Sequence, residues 1–84
     1  SAASDVYKRQ GWIYFKLNKY EEALNYITRS LENDENNEVI LEHLLHVYLK
    51  LNNISAAKNI YKKILELNPQ NNIIEGVMKD LIYE

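Results

Sequence analysis

The chain has 84 residues, a formal net charge of −2 and a hydrophobic fraction of 46%. A chain of this length and composition forms one small globular domain rather than a disordered segment. It contains no cysteine, which excludes a disulfide framework and a thiolate zinc site. The acidic balance disfavours a nucleic-acid partner, which requires a clustered Lys/Arg face. No apolar run approaches the roughly 20 residues that cross a bilayer, so we expect no membrane partner.

The first predicted helix begins within an unusual stretch, Ser1–Gln10. One reverse translation of these residues, tcggcagcgtcagatgtgtataagagacag, is similar base for base to a transposase adapter used to prepare shotgun sequencing libraries. We therefore interpret residues 1–10 as adapter-derived and non-native, and the chain as a fragment of metagenomic origin whose natural gene continues upstream. On this interpretation the natural part of the first helix begins at Gly11, and the residues before it either extend the helix or fray.

Apolar residues recur every three or four positions through the rest of the chain, as one face of a helix requires. The spacing predicts helices over residues 5–17, 20–33, 38–51, 54–67 and 72–83. Tight turns are expected at Asn18-Lys19 and Asn52-Asn53, because asparagine favours turns and helix ends. Pro69 cannot continue the fourth helix. The chain is therefore predicted to consist of helix pairs joined by short turns.

These helix pairs repeat along the chain with a fixed period. From Gly11 onward, a shift of 34 positions superposes nine identical residue pairs, among them Tyr14 with Tyr48, Asn18 with Asn52 and Ala23 with Ala57. A sustained period of this length is the signature of a solenoid built from one repeated supersecondary unit.

A helix-turn-helix unit with this period resembles the tetratricopeptide repeat (TPR). If Ser4 and Glu38 are position 1 of the two units, the small and proline positions of the family fall on Gly11, Ala23, Ala57 and Pro69. Leu45 and Ile64 depart from the family pattern, because small residues are usual at their positions.

The resemblance implies an all-α fold, a right-handed α-solenoid of antiparallel helix pairs with five helices. Residues 11–37 would form a first TPR unit with a truncated first helix, and residues 38–71 a second unit. Residues 72–84 would form a capping helix or the first helix of a truncated third unit.

The resemblance also implies a function as a protein-protein interaction scaffold. Members of the family hold peptides or helices of partner proteins in a concave groove lined by the first helix of each pair. The groove positions of the family fall on Trp12, Phe15, Lys16, Glu42, His46, Leu49 and Lys50. An aromatic pair flanked by two lysines one repeat apart predicts a site for an extended, partly acidic peptide, with the partner's identity open.

Other interpretations remain beside this one. Trp12 and Phe15 could instead pack against a neighbouring repeat, and the repeats could be a structural spacer or an oligomerisation segment of a larger enzyme or envelope protein. Self-association through exposed solenoid ends is a further expectation. Chaperone-binding members of the family hold a terminal carboxylate with lysine at position 5 and asparagine at position 9. Here Lys8 occupies the first of these places but Trp12 the second, which disfavours such a carboxylate clamp.

No pattern of residues predicts catalysis. The sequence has no Gly-rich phosphate loop and no nucleophile elbow. His43 and His46 lie three apart on one helix, but zinc needs three or four protein ligands and the neighbouring residues do not complete a set. We therefore expect no enzymatic activity, no cofactor and no metal. The sequence does not indicate a compartment.

Overall fold

The computed structural model describes residues 2–72 together with Gly76 and Met78. This part of the chain contains four α-helices: α1 (Ala2–Lys16), α2 (Tyr20–Asn33), α3 (Glu38–Lys50) and α4 (Ile54–Leu67). Their bounds lie within three residues of those predicted from the apolar spacing. The fold is thus all-α, with four described helices where five were predicted. The predicted fifth helix, over 72–83, lies outside the described residues except for Asn72, which is not helical, and Gly76 and Met78, which are.

Two equivalent turns join the helices within each unit. Asn18 and Asn52 both adopt left-handed backbone conformations, with φ of 62° and 59°. In the first turn the Asn18 N–H donates to the Phe15 carbonyl at 3.0 Å and the Lys19 N–H donates to the Tyr14 carbonyl at 2.9 Å. The second turn repeats both bonds one unit later. This pair of bonds is the Schellman motif, in which the left-handed position favours glycine or asparagine.

Asparagine also caps two of the helices. The Asn37 side chain accepts a hydrogen bond from the Ile40 N–H at 3.1 Å, at the start of α3. The Asn53 side chain accepts one from the Ala56 N–H at 3.2 Å, at the start of α4. Each cap satisfies one of the backbone donors that the first turn of a helix leaves without an intrahelical partner. The asparagine pairs of the sequence therefore mark helix boundaries.

The core consists of two clusters that lie on either side of α3. The first, which we call the α2–α3 cluster, contains Ala23, Ile27, Ile40, Leu44 and Val47. The second, the α3–α4 cluster, contains Leu41, Leu45, Ala57, Tyr61, Ile64 and Met78. Each helix packs against the next along the chain, and α1 also contacts α3. This stacking is the arrangement of an α-solenoid.

Gly11 marks the close approach of α1 to α2. It is buried, and a Cβ atom added to it would lie 2.5 Å from Ile27 Cγ1 and 3.2 Å from the Ile27 backbone nitrogen. Real Cβ atoms do not come so close to another carbon, so the interface between the two helices requires a residue without a side chain here.

The first half of α1 does not fray. Residues 2–10 continue the helix, and Ser4 is fully buried against Ser30 of α2. The Ser30 hydroxyl donates to the Ser4 carbonyl at 2.7 Å, and the Ser4 hydroxyl donates to the Ser30 carbonyl at 3.2 Å. Because both hydroxyls are buried, these bonds are needed to offset the loss of hydration. They hold the start of α1 against the end of α2.

Candidate functional site

Four rings from α1 and α3 form one group, which we call the aromatic cluster: Trp12, Phe15, His43 and His46. Trp12 stacks on Phe15 with ring centroids 4.4 Å apart and planes 5° from parallel. The His43 ring meets the Trp12 ring edge-on, with centroids 4.1 Å apart. The centroid of the His46 ring lies 6.3 Å from that of Trp12. All four side chains are half-buried. The cluster is thus packed within itself and remains partly exposed to solvent.

Helix periodicity explains why these rings meet. Residues three apart on a helix share a face, so Trp12 and Phe15 project together from α1. His43 and His46 project together from α3 for the same reason. Since α1 and α3 are in direct contact, the two pairs meet where the first helices of the two units lie side by side.

Lysine side chains lie around the aromatic cluster. The Lys16 ammonium group sits 5.3 Å from the centroid of the Trp12 ring, within the range of a cation–π interaction. Lys50, one repeat later, is exposed at the last residue of α3. Lys8 is half-buried on α1 and lies 3.7 Å from Asp5. Lys16 and Lys50 are thus both exposed, Lys16 over the Trp12 ring and Lys50 near enough to His46 for its charge to lower the pKa of that imidazole.

Glu42 and Leu49 have partners that the sequence did not predict. The Asn71 amide nitrogen donates to Glu42 at 3.0 Å and to Glu38 at 3.1 Å. One carboxylate oxygen of Glu42 therefore already accepts a hydrogen bond from within the chain. Leu49 packs against the α3–α4 cluster. Of the seven predicted groove residues, Trp12, Phe15, Lys16 and His46 come together directly, whereas Glu42, Leu49 and Lys50 lie along α3 beside them.

The two histidines favour their neutral forms. Burial lowers the pKa of His43, and the positive charges of Lys8 and His46 lower it further against a raising contribution from the Val39 backbone. Burial also lowers the pKa of His46, with Glu42 opposing this effect and Lys50 adding to it. The Nδ1 atom of His43 is buried and has no hydrogen-bond partner of good geometry within the described residues. Both imidazoles thus behave as uncharged rings near neutral pH.

His43 is the member of the cluster that the family pattern misses. The sequence disfavours a metal role for His43 and predicts a groove-facing or partly exposed histidine, without indicating a contact with Trp12. In the structure its ring centroid lies as close to Trp12 as that of Phe15 does. The signal in the sequence that could have placed His43 in the cluster is its spacing of three from His46, because this spacing puts both rings on one face of α3. His43 also lines a surface pocket of about 370 Å³ together with Lys8, Arg9, Trp12 and Ile13.

Two further observations concern other kinds of site. Among the residues the structure describes, no group of three His, Asp or Glu side chains could hold a metal ion. In the same part of the chain, no helix combines the length and the apolar character that crossing a bilayer requires.

Comparison with known proteins gives several relatives that share only part of their length with this chain. A TPR repeat-containing protein of Methanocaldococcus jannaschii is 42% identical over 60 residues, which cover 71% of this chain and 19% of that protein. The uncharacterized protein ycf37 of Porphyra purpurea is 34% identical over 68 residues, covering 81% and 39%. Tetratricopeptide repeat protein 12 of Homo sapiens is 37% identical over 65 residues, covering 77% and 9%. The chain thus spans less than half of each of these relatives.

A solved structure and a family profile agree with these matches. The first TPR of Spaghetti (RPAP3), bound to the HSP90 peptide SRMEEVD, has the same fold, with a TM-score of 0.56 and 21% sequence identity over 99% of this chain and 93% of that one. The sequence profile of the tetratricopeptide repeat matches residues 4–37 and again residues 40–71. Together the two matches cover most of the sequence, and each coincides with one helix pair. The chain therefore belongs to the tetratricopeptide repeat family.

Proposed function

We propose that the chain is a protein-interaction scaffold whose α1–α3 groove binds an extended, partly acidic segment of a partner protein, as part of a longer repeat array. The observation that carries the proposal is the half-buried Trp12 ring, stacked on Phe15 with the Lys16 ammonium group above it. Partly exposed aromatic side chains of this kind are typical anchors of interfaces.

The charges beside the aromatic cluster favour an acidic ligand. Lys16 and Lys50 are exposed and stand at equivalent positions of the two units, so a peptide that crosses from one unit to the other would pass both. The carboxylates on the same side, Glu38 and Glu42, each accept a hydrogen bond from Asn71. Because of these hydrogen bonds, the carboxylates of Glu38 and Glu42 have fewer lone pairs left to compete with an acidic ligand for the ammonium groups of Lys16 and Lys50. The fold neighbour holds the peptide SRMEEVD, which is also acidic.

The proposed ligand does not depend on a terminal carboxylate. Trp12 occupies the place where a carboxylate clamp would need a polar amide side chain, and indole offers only one N–H donor. Apolar contact with Trp12 would supply most of the affinity, while the lysines orient the acidic residues. An internal segment of a partner could therefore bind as well as a C-terminus.

Trp12 is the only tryptophan of the chain, so its fluorescence reports directly on the site. The probes are two versions of an acidic peptide with one aliphatic residue, one ending in a free carboxylate and one in an amide, and a version in which lysine replaces each acidic residue. We expect both acidic peptides to change Trp12 emission with similar affinity, and the lysine version to have no effect. Failure of every acidic peptide at low ionic strength would contradict the proposal.

Charge reversal provides the second part of the experiment. Lys50→Glu should weaken binding of the acidic peptides several-fold, more at low than at high salt, because exposed charges are screened within about 10 Å at 0.1 M. The matched control is Lys62→Glu, which makes the same charge change at an exposed position of α4. If both variants weakened peptide binding equally, the effect would come from the net charge of the protein, and the proposed binding of the peptide beside Lys50 would be contradicted.

A further inference from the structure

Both histidines of the chain belong to the aromatic cluster, beside the proposed peptide site. The His43 ring centroid lies 4.1 Å from that of Trp12. The His46 ring centroid lies 6.3 Å from that of Trp12 and 6.4 Å from that of Phe15. The Lys16 ammonium group lies over the same Trp12 ring, 5.3 Å from its centroid. Imidazole is the side chain whose charge ordinarily changes between pH 5 and 8, so the charge of the cluster depends on these two rings.

The surroundings of both rings oppose a positive charge. Burial is the largest influence on the pKa of each histidine, and it lowers both values. From α1, the Lys8 ammonium group lowers the pKa of His43, and Arg9 lines the same pocket as this ring. From α3, Lys50 lowers the pKa of His46. The charged form of either ring would therefore be favoured by additional negative charge nearby.

The carboxylates of α3 supply this negative charge only in part. Glu42 raises the pKa of His46, which nevertheless remains lowered. Glu42 and Glu38 each already accept a hydrogen bond from Asn71, at 3.0 Å and 3.1 Å. The Nδ1 atom of His43 is buried and has no hydrogen-bond partner of good geometry within the described residues. A carboxylate from outside the chain would add the negative charge that both rings lack.

The two imidazoles also repel each other when both are charged. Positive charge on His46 lowers the pKa of His43, because residues three apart lie on one face of a helix. Two groups coupled in this way bind protons in steps that belong to the pair. A carboxylate lying beside both rings would offset the repulsion, and proton uptake by the pair would become easier.

We propose that His43 and His46 determine the charge specificity of the groove: as neutral rings they offer apolar contact to any segment, and as imidazolium groups they select an acidic one. The inference rests on the proposed function, because it concerns the same peptide site. An acidic segment then binds more tightly at mildly acidic pH and takes up protons as it binds. An uncharged segment gains nothing from the added charges, so discrimination between the two segments increases as the pH falls.

The experiment measures the affinity of two fluorescently labelled peptides at pH 7.5 and at pH 5.5 by anisotropy. One is the amide-ended acidic peptide with one aliphatic residue, and the other has glutamine in place of each acidic residue. Glutamate keeps most of its charge at pH 5.5, because its ordinary pKa is about 4.3. We expect the acidic peptide to bind about three- to ten-fold more tightly at pH 5.5 and the glutamine peptide to bind equally at both. Far-UV circular dichroism verifies that the helices are intact at each pH.

Substitution of the histidines tests whether they cause the pH effect. In the double variant His43→Gln/His46→Gln, the acidic peptide should bind with the same affinity at both pH values, because no imidazole is left to titrate. The matched control adds Asn59→His to this double variant, which returns one imidazole at an exposed position of α4. This control should remain independent of pH. If Asn59→His restored the pH effect, the effect would come from the net charge of the protein, and the proposal would be wrong.

Calorimetry provides a readout that a purely structural role of the histidines would not change. At pH 6 the acidic peptide should take up protons as it binds, so the binding enthalpy should depend on the ionisation enthalpy of the buffer. The double variant should show no such dependence. If the acidic peptide binds with equal or lower affinity at pH 5.5 and without proton uptake, this inference is wrong while the peptide groove stands. If neither peptide binds at either pH, the proposed function fails and this inference fails with it.

Discussion

Replacing Gly11 by alanine should destabilise the protein even though alanine favours helices. The added Cβ would lie 2.5 Å from Ile27 Cγ1 and 3.2 Å from the Ile27 backbone nitrogen. Ile27 is fully buried, and its β-branched side chain has little freedom to move aside. Overpacking of this kind costs about 1–3 kcal/mol.

The opposing gain comes from helix propensity. Alanine is favoured over glycine within a helix by about 1 kcal/mol. The net expectation for Gly11→Ala is therefore a loss of up to about 2 kcal/mol, which is a large share of the total stability of a small domain. Gly76 is the control, because it is exposed and helical, and a Cβ atom added to it would meet no heavy atom of the described residues outside its own helix within 4 Å. Gly76→Ala should gain up to about 1 kcal/mol.

Urea unfolding followed by far-UV circular dichroism measures both effects, with the slope m unchanged if only stability differs. Ile27→Ala removes the side-chain atom that clashes, so Gly11→Ala should stabilise that variant by about 1 kcal/mol through helix propensity. The double-mutant cycle should then give a coupling of about 1–3 kcal/mol, which is the cost of overpacking alone. Stabilisation by Gly11→Ala in the native background would refute the close approach of α1 to α2.

Three further predictions concern the turns, a helix cap and pH. Asn52→Gly should raise the free energy of unfolding and Asn52→Ala should lower it by about 1 kcal/mol, because the position is left-handed; equal midpoints for both would exclude that conformation. Asn37→Ala should cost about 1 kcal/mol through loss of the α3 cap, with the exposed Asn36→Ala near zero as its control in the same urea assay. Burial lowers the pKa of His43 and His46, so the unfolded chain binds more protons below about pH 6.5. The free energy of unfolding should therefore be at its full value above about pH 6.5 and decrease as the pH falls. This decrease should be smaller in His43→Gln, because one of the two histidines is removed.

Local signals explain why the helices were predictable. Within 11–71, apolar spacing, the turn asparagines and the repeat period all specify the same elements, and such agreement between levels is typical of a well-specified fold. Asn18 and Asn52 are informative because so few residues tolerate their backbone conformation. The sequence also indicated that Gly11 had to be small, although not which atom excludes a larger residue.

The candidate site was only partly predictable, because it depends on how helices from different units meet. Trp12 and Phe15 are three apart on one helix, so their common face followed from periodicity. The edge contact between Trp12 and His43 requires the relative position of α1 and α3. The bond from Asn71 to Glu42 joins residues 29 apart in sequence. Neither contact leaves a local pattern that spacing could reveal.

Three partly buried side chains pack against both core clusters, and this has a consequence for how the protein unfolds. Leu31, Tyr48 and Ile60 pack against both clusters, so no plane through the molecule separates one unit from the other without exposing side chains of each. Opening α4 therefore weakens the contacts of α2 as well. Although the sequence repeats one helix pair at a time, the smallest piece that can unfold cooperatively is larger than the smallest piece that repeats.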